Sequence, residues 1–349
     1  MASEGKNLVG VDIGSSSIKV AEVVEKRGQR TLVRFGYHPL PPQTIVDGHI
    51  MNSGAIVEGL EKLFHKQKRR VVAMRANGHS VIIKKITMPQ MTANELDEQI
   101  NWEAEQHIPF DLAEVKIDYQ VLQQRADQGQ MDVLLVAAKR EEITDLTNLA
   151  VEARLRPMVV DLDAFTVQNV FEAGYSEVMS GQTVVLIHVG ASLTTVNVLA
   201  SGIPAFTRDI PAGGNRITEE IQRALGISQE EAEAYKVGGD GQGMVPQEVP
   251  GIIQQAVDGL AGEIQRSLDF YLATSGDRSV AQIFLSGGTA NVHSLAQAVQ
   301  TRSRVGVELL DPLRVAPPDP KMDQAALAGR ASQAVVAVGL ALRKEREQR

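Results

Sequence analysis

The chain has 349 residues, about two domains' worth at ~150 residues each. Hydrophobic residues make up 43% and charged residues 22%, which excludes a largely disordered chain, and the net charge of −8 argues against a whole-chain nucleic-acid binder. With no cysteine, a disulfide framework, a zinc–thiolate site and a thiol nucleophile are excluded, and none of the histidines pairs with another at metal-ligand spacing.

The opening MASEGKNLVG has no apolar core of signal-peptide length. The longest apolar run, Ala334–Leu342, is nine residues, against the ~20 of a membrane span. The expectation is a cytoplasmic protein that reaches a membrane only through partners.

In chain order, residues 8–13 (LVGVDI) and Ile18–Val24 read as strands joined by a turn of small residues, Gly14-Ser15-Ser16-Ser17. Thr31–Tyr37 gives a third strand, Asn52–Lys66 a helix and Val71–Ala76 a strand. Ser80–Thr87 is a strand, and the capping box Thr92-x-x-Glu95 opens a helix with Leu96, Ile100, Ala104 and Ile108 on one face. Strands Lys116–Gln124 and Met131–Ala138, a helix Glu141–Ala153 and a strand Met158–Leu162 complete a β-α-β-β-α-β block over 80–158.

The opening hairpin then recurs. Val184–Val189 and Thr194–Leu199 flank Gly190-Ala191-Ser192, and aligning Gly14 with Gly190 matches Ile13 to Val189 and Ser16 to Ser192. A strand–turn–strand unit repeated half a chain apart points to two related α/β lobes, although two unrelated hairpins share the pattern. Strand Ala205–Ile210, Gly213-Gly214-Asn215, a helix Arg216–Leu225 and a capped helix from Ser228 to Lys236 follow. Residues 238–251 read as a surface loop, Ile252–Thr274 as a long helix, and Val280–Leu285 as a strand running into Ser286-Gly287-Gly288-Thr289. A proline-rich connector, Leu313–Met322, leads to a closing helix Gln324–Arg343 and a solvated KEREQR tail.

Three constellations carry chemistry. At Asp12–Lys19 a tight turn of small residues brings backbone N–H groups and the hydroxyls of Ser15, Ser16 and Ser17 near phosphate oxygens. Lys19 supplies a compact charge, and Asp12 at the strand end can hold hydrated Mg²⁺. A plain hairpin with an exposed lysine has the same pattern. Gly287, Gly288 and Thr289 permit close backbone approach to a flat or anionic ligand, and equally make an ordinary strand-to-helix turn. Glu233 and Lys236 share a helix face beside Gly213, Gly214 and Asn215, as an exposed ion pair would.

In this order, two hairpin turns, a Gly-Gly-Asn helix start, a Glu-x-x-Lys and a strand-Gly-Gly-Thr resemble the actin-like ATPase superfamily over nearly the whole chain. The resemblance implies an α/β, ribonuclease H-like fold of two lobes closing on a nucleotide. The first lobe takes 1–79, continuing at 159–180 and in 324–343; 80–158 is an inserted subdomain; 181–323 is the second lobe. It also implies that Asp12–Lys19 is the first phosphate loop, that Gly190, Ala191 and Ser192 form the second, that Gly287, Gly288 and Thr289 line the adenosine site, and that Gly213, Gly214, Asn215, Glu233 and Lys236 border the nucleoside. ATP and Mg²⁺ are the implied cofactors.

Inside the block, Ile86-Thr-Met-Pro89, Glu98-Gln99-Ile100 and Glu103-Ala-Glu-Gln-His-Ile-Pro-Phe110 resemble the PilM family of type IV pilus assembly proteins, as does Val9–Glu22. That resemblance implies a cytoplasmic ATP-binding adaptor, peripheral to the inner membrane, needed for pilus biogenesis and twitching motility. It would bind the N-terminal cytoplasmic peptide of PilN, in a groove between block and first lobe lined by Ile86, Met88, Pro89, Ile100, Glu103 and Ile108. It would link the inner-membrane alignment complex to cytoplasmic motor or platform proteins, in several copies if the machine is a ring. An FtsA-like division protein and a small-molecule kinase on the same fold are the alternatives. No acceptor motif supports the kinase, and no C-terminal amphipathic helix matches FtsA. One departure stands out: His188 occupies the position aligned with Asp12, where the superfamily places an acid. A neutral imidazole is a poor partner for hydrated Mg²⁺, so slow or absent hydrolysis is expected. Asp161 and Asp163 are candidate water-orienting groups.

Overall fold

A computed structural model describes residues 5–76, 81–178, 181–238, 245–277 and 279–345. Ser80 at the expected strand start, 239–244 of the expected loop, 346–349 of the tail, and the boundaries drawn at 79 and 180 lie outside the described residues.

Strands β1 (Val9–Ile13), β2 (Ser17–Lys26) and β3 (Gln29–Pro39) form an antiparallel meander. A short ribbon, β4 (Ile45–Val46) with β5 (His49–Ile50), leads to helix α1 (Ser53–Leu63), whose first turn is capped by the Asn52 side chain. Strand β6 (Val71–Ala76) then returns parallel to β1. The chain leaves this sheet for β7 (Val81–Pro89), α2 (Ala93–His107), β8 (Val115–Arg125) and β9 (Gln130–Lys139), which make a separate three-stranded sheet in the order β7-β9-β8. The Thr92–Glu95 capping box forms at the start of α2 as expected.

Helix α3 (Arg140–Glu152) and strand β10 (Arg156–Leu162) correct the sequence reading. They were expected to close the inserted block. Instead β10 pairs parallel with β6, giving a five-stranded sheet in the order β10-β6-β1-β2-β3, and α3 buries Leu146, Leu149 and Ala150 with Ile56 and Leu60 of α1 on that sheet. The separate sheet therefore comprises residues 81–139, because β10 completes an apolar parallel edge that the block's own sheet does not offer.

After α4 (Asp163–Gly174) the same architecture repeats. Strands β11 (Thr183–Val189), β12 (Thr194–Ala200) and β13 (Ile203–Ile210) form the second meander, followed by helices α5 (Gly214–Leu225), α6 (Gln229–Lys236) and α7 (Val249–Ser275). Strand β14 (Gln282–Ser286), helix α8 (Leu295–Ser303) and strand β15 (Val307–Leu309) complete a sheet in the order β13-β12-β11-β14-β15. Helix α7 starts within the expected loop, with Pro250 in its first turn, where no N–H is needed.

The two sheets match strand for strand. Val9, Val11 and Ile13 of β1 face the α1–α3 layer, while Val185, Ile187 and Val189 of β11 face the α5–α8 layer. Between the sheets, α4 and α10 (Ala331–Ala341) fill one apolar core that joins Leu8 and Ala73 to Val184, Leu186 and Phe284. The closing segment, expected as one helix, is two: α9 (Gln324–Ala328) stops at Gly329, and Arg330 lays its guanidinium 3.9 Å over the Tyr37 ring before α10 begins.

Candidate nucleotide cleft and inserted block

Both hairpin turns are of equal length and the same hydrogen-bonded shape. Ile13 faces Ile18 and Val189 faces Thr194 across their registers, and Gly14 and Gly190 donate to the carbonyls of Ser17 and Leu193 at 3.0 and 2.9 Å. The tips meet across the cleft, where Ser15 Oγ and Ser192 Oγ share a 2.8 Å hydrogen bond. The N–H groups of Ser15, Ser16, Ala191 and Ser192 donate to no other described residue, which leaves a nest of donors suited to an anion.

Behind the tips lies a buried charge cluster. The register sets Lys19 opposite Asp12, and their Nζ–Oδ2 pair is 3.2 Å long. Arg75 of β6 takes the other Asp12 oxygen at 2.7 Å, donates to the Ile13 carbonyl at 3.1 Å and pairs with Asp163 at the start of α4. Burial pushes the Asp12 carboxyl up, but Lys19 and Arg75 outweigh it and hold it below the usual carboxylate range. His188 lies in the same cluster and shares a 3.0 Å hydrogen bond with Ser286. Burial, reinforced by Arg75 and Lys19, outweighs Asp163 and Asp12 and lowers its pKa, so the imidazole is neutral.

Each Asp12 oxygen pairs with one cation, so a water-mediated hold on Mg²⁺ would share the carboxylate with Lys19 and Arg75. Asp161 is also committed elsewhere, to Arg343 at 2.6 Å and to its neighbour's N–H, while Asp163 joins the cleft through Arg75. The sequence reading missed Arg75, although an arginine inside the apolar strand VVAMRA was a signal that something buried needs its charge.

The expected nucleoside residues meet the Gly190 turn by close backbone approach. The N–H groups of Gly214 and Asn215 donate to the carbonyls of Gly190 and Ala191 at 3.0 and 2.7 Å, and Thr289 Oγ1 donates to Gly190 at 2.8 Å. A Cβ on Gly213 would fall 2.5 Å from the Gly190 oxygen, and one on Gly214 2.5 Å from Thr289 Oγ1. Gly287 adopts φ +93°, and its Cβ would fall 2.7 Å from the Val189 carbonyl carbon. Gly288 faces the Gln333 side chain on α10. Glu233 and Lys236 are more than an exposed helical pair. Lys236 Nζ is 2.6 Å from Glu233, donates to Thr218 at 2.9 Å and to the Gly214 carbonyl at 3.2 Å, and its side chain is only 8% exposed. The structure thus links Asp12–Lys19, 190–192, 213–215, Glu233, Lys236 and 287–289 in one chain of contacts around the two facing turns.

The expected groove residues separate. Ile86, Met88, Ile100 and Ile108 are buried together with Leu96 and Val133 between the inserted sheet and α2. They form that block's own core, because Ile100, Ala104 and Ile108 recur every four residues on the face that meets the sheet. Pro89 is exposed and Glu103 half-buried. On its outer side α2 presents Trp102, 73% exposed.

Two sheets of identical strand order, joined by α4 and α10 and facing one cleft through paired turns, define an actin-like, two-lobed nucleotide-clamp fold. MreB5 of Spiroplasma citri bound to AMPPNP shares that fold, with a TM-score of 0.53, 12% identity, and 96% of this chain and 94% of that one covered. The family described as type IV pilus assembly protein PilM matches residues 10–345, and the chain belongs to that family. A solved PilM–PilN type IV pilus biogenesis complex overlays with a TM-score of 0.87 at 26% identity, covering 98% of this chain and 99% of that one. Cell division protein FtsA of Bacillus subtilis is 25% identical over 259 residues, 65% of this chain; the match spans 57% of FtsA's length. Among the described residues no helix is long and apolar enough to cross a membrane.

Proposed function

We propose that this protein is an ATP-binding adaptor of type IV pilus assembly that grips the N-terminal peptide of a PilN-type membrane protein. The observation that carries the reading is the near-complete overlay on a PilM chain solved with PilN. The two facing turns support the nucleotide part. Gly213, Gly214 and Gly287 let the backbone segments around the Gly190 turn pack closely, the tip N–H groups of Ser15, Ser16, Ala191 and Ser192 suit phosphate oxygens, and Lys19 and Arg75 supply positive charge. ATP turnover is slow or absent. His188 is neutral where an acid would stand, and Asp12 and Asp163 are both held by cations rather than free to orient water. The peptide lies between the inserted block and the first lobe, where Pro89 and Glu103 are accessible and the buried isoleucines fix the block's shape. The protein acts at the inner face of the inner membrane through this partner, supporting pilus biogenesis and twitching motility.

Calorimetric titration with a synthetic PilN-type N-terminal peptide, with ATP present, tests the reading. Saturable one-to-one binding, weakened in Glu103→Lys, is expected. No binding at high peptide concentration would leave a nucleotide clamp without this partner. Steady phosphate release above ~1 s⁻¹, an ordinary enzyme rate, would overturn the slow-turnover part alone.

A further inference from the structure

The first sheet has two ends. One carries the Gly14 turn; at the other, β1, β3, β6 and β10 begin and β2 finishes. That second end collects cations. Lys6 leads into β1, while Lys26 and Arg27 close β2, and all three are exposed. Lys66 and Lys68 precede β6, and Arg154 and Arg156 bracket the approach to β10, again all exposed. None of these side chains forms an ion pair with another described residue. Of the acids nearby, Glu22 pairs with Arg34 and Arg69, and Glu25 with Arg30 and Lys344, while Glu152 and Glu345 stand exposed, two acids against seven cations. In a chain of net charge −8 this is segregation of charge onto one end, not excess.

Exposed apolar side chains interrupt the basic surface. Val151, one helical turn before Arg154, is 61% exposed. Met158, 39% exposed, lies two residues beyond Arg156, at the bulge in edge strand β10. A merely solvated face gains nothing from these two, whereas the headgroup region of an anionic bilayer accommodates both cations and apolar side chains.

We propose that this end of the first lobe rests on an anionic phospholipid surface, giving the protein a membrane contact of its own beside any made through a partner. The contact is electrostatic and so salt-sensitive, since screening shortens from about 8 Å at 0.15 M salt to about 3 Å at 1 M. It is independent of the peptide and nucleotide readings.

Co-sedimentation of the full chain with vesicles tests it, comparing phosphatidylglycerol-containing with pure phosphatidylcholine vesicles. Binding to the former only, reversed by 1 M salt, is expected. Lys66→Glu/Lys68→Glu and Arg154→Glu/Arg156→Glu should each weaken it at least about tenfold with an unchanged melting temperature. Arg223→Glu/Arg266→Glu, an equal charge change on α5 and α7 of the second lobe, should leave it intact. Sedimentation with both vesicle types alike, equal binding by the charge-reversed variants, or retention on duplex DNA or polyglutamate without vesicle binding would overturn the proposal.

Discussion

Arg75 stands between two buried carboxylates, and its removal has a definite cost. In Arg75→Ala, Asp12 keeps Lys19 but Asp163 loses its cation in a site closed to water. Breaking such a pair from one side costs about 3–5 kcal/mol, so urea denaturation should show a loss of that size, with ATP affinity reduced as well. The same arrangement predicts the response to chelation. With Asp12 already neutralised by Lys19 and Arg75, ATP affinity should be the same in EDTA as in Mg²⁺; loss of binding on chelation would show that Asp12 exchanges its partners for the metal. His188 sets a pH dependence. Its folded pKa lies below the unfolded value of about 6.5, so as pH falls from there the unfolded chain takes up a proton the folded one refuses, and stability declines. Asp12, also depressed, adds stability that is present above its unfolded pKa near 3.9 and disappears as pH falls through its folded pKa. Melting temperatures measured from pH 7 downward should therefore fall in two stages, and His188→Gln should remove the first and leave the second. The hairpin carrying Asp12 and Lys19 was legible in the sequence, but the two were read with separate roles and not as the ion pair its register sets up. Arg75 arrives from a strand 63 residues beyond Asp12 in the chain, and no local pattern says which buried acids it meets.

Among the elements, the inserted block shows most plainly where local pattern stops. The spacing of Leu96, Ile100, Ala104 and Ile108 identified α2 and its buried face, and the Thr92 cap its start. The alternation of strands and helices did not say that β10 and α3 belong to the first lobe, since sheet membership depends on which edge a strand can complete. Nor did it separate a residue that lines a groove from one that shapes it. The packing of Ile86, Met88, Ile100 and Ile108 puts them in the second role, and this has a measurable consequence. Leu96→Ala removes a fully buried side chain from the same core, at a cost of about 2–5 kcal/mol. Hydrogen exchange should quicken in β7, α2, β8 and β9 but not in the strands of the two lobes. PilN-peptide affinity should fall while ATP affinity stays unchanged. Equal loss of both would mean that the block and the cleft share one folding unit.

At the scale of the whole molecule, the half-chain repeat seen in the sequence is a repeat of complete sheets. Each strand of the first has its counterpart in the second, and the equivalent turns arrive tip to tip because both sheets pack on the same pair of helices, α4 and α10. The Ser15–Ser192 hydrogen bond therefore measures lobe separation at the point where a nucleotide's phosphates would enter. The chain has no cysteine, so Ser15→Cys/Ser192→Cys creates a single thiol pair. Hydroxyl oxygens 2.8 Å apart place the two sulfurs within reach of a bond whose usual Cβ–Cβ span is about 3.5–4.5 Å. The oxidised variant should cross-link rapidly without ligand and then bind fluorescent ATP at least about tenfold more weakly than the reduced form. Prior saturation with ATP should slow the cross-link by holding the tips apart, and reduction should restore binding. Peptide affinity measured on the locked and released forms then isolates the coupling between cleft and inserted block, which must be reciprocal if it exists. Cross-linking at the same rate with and without ATP would mean that phosphate binds without parting the turns, and that the tip N–H groups accept it from one side of a permanently closed seam.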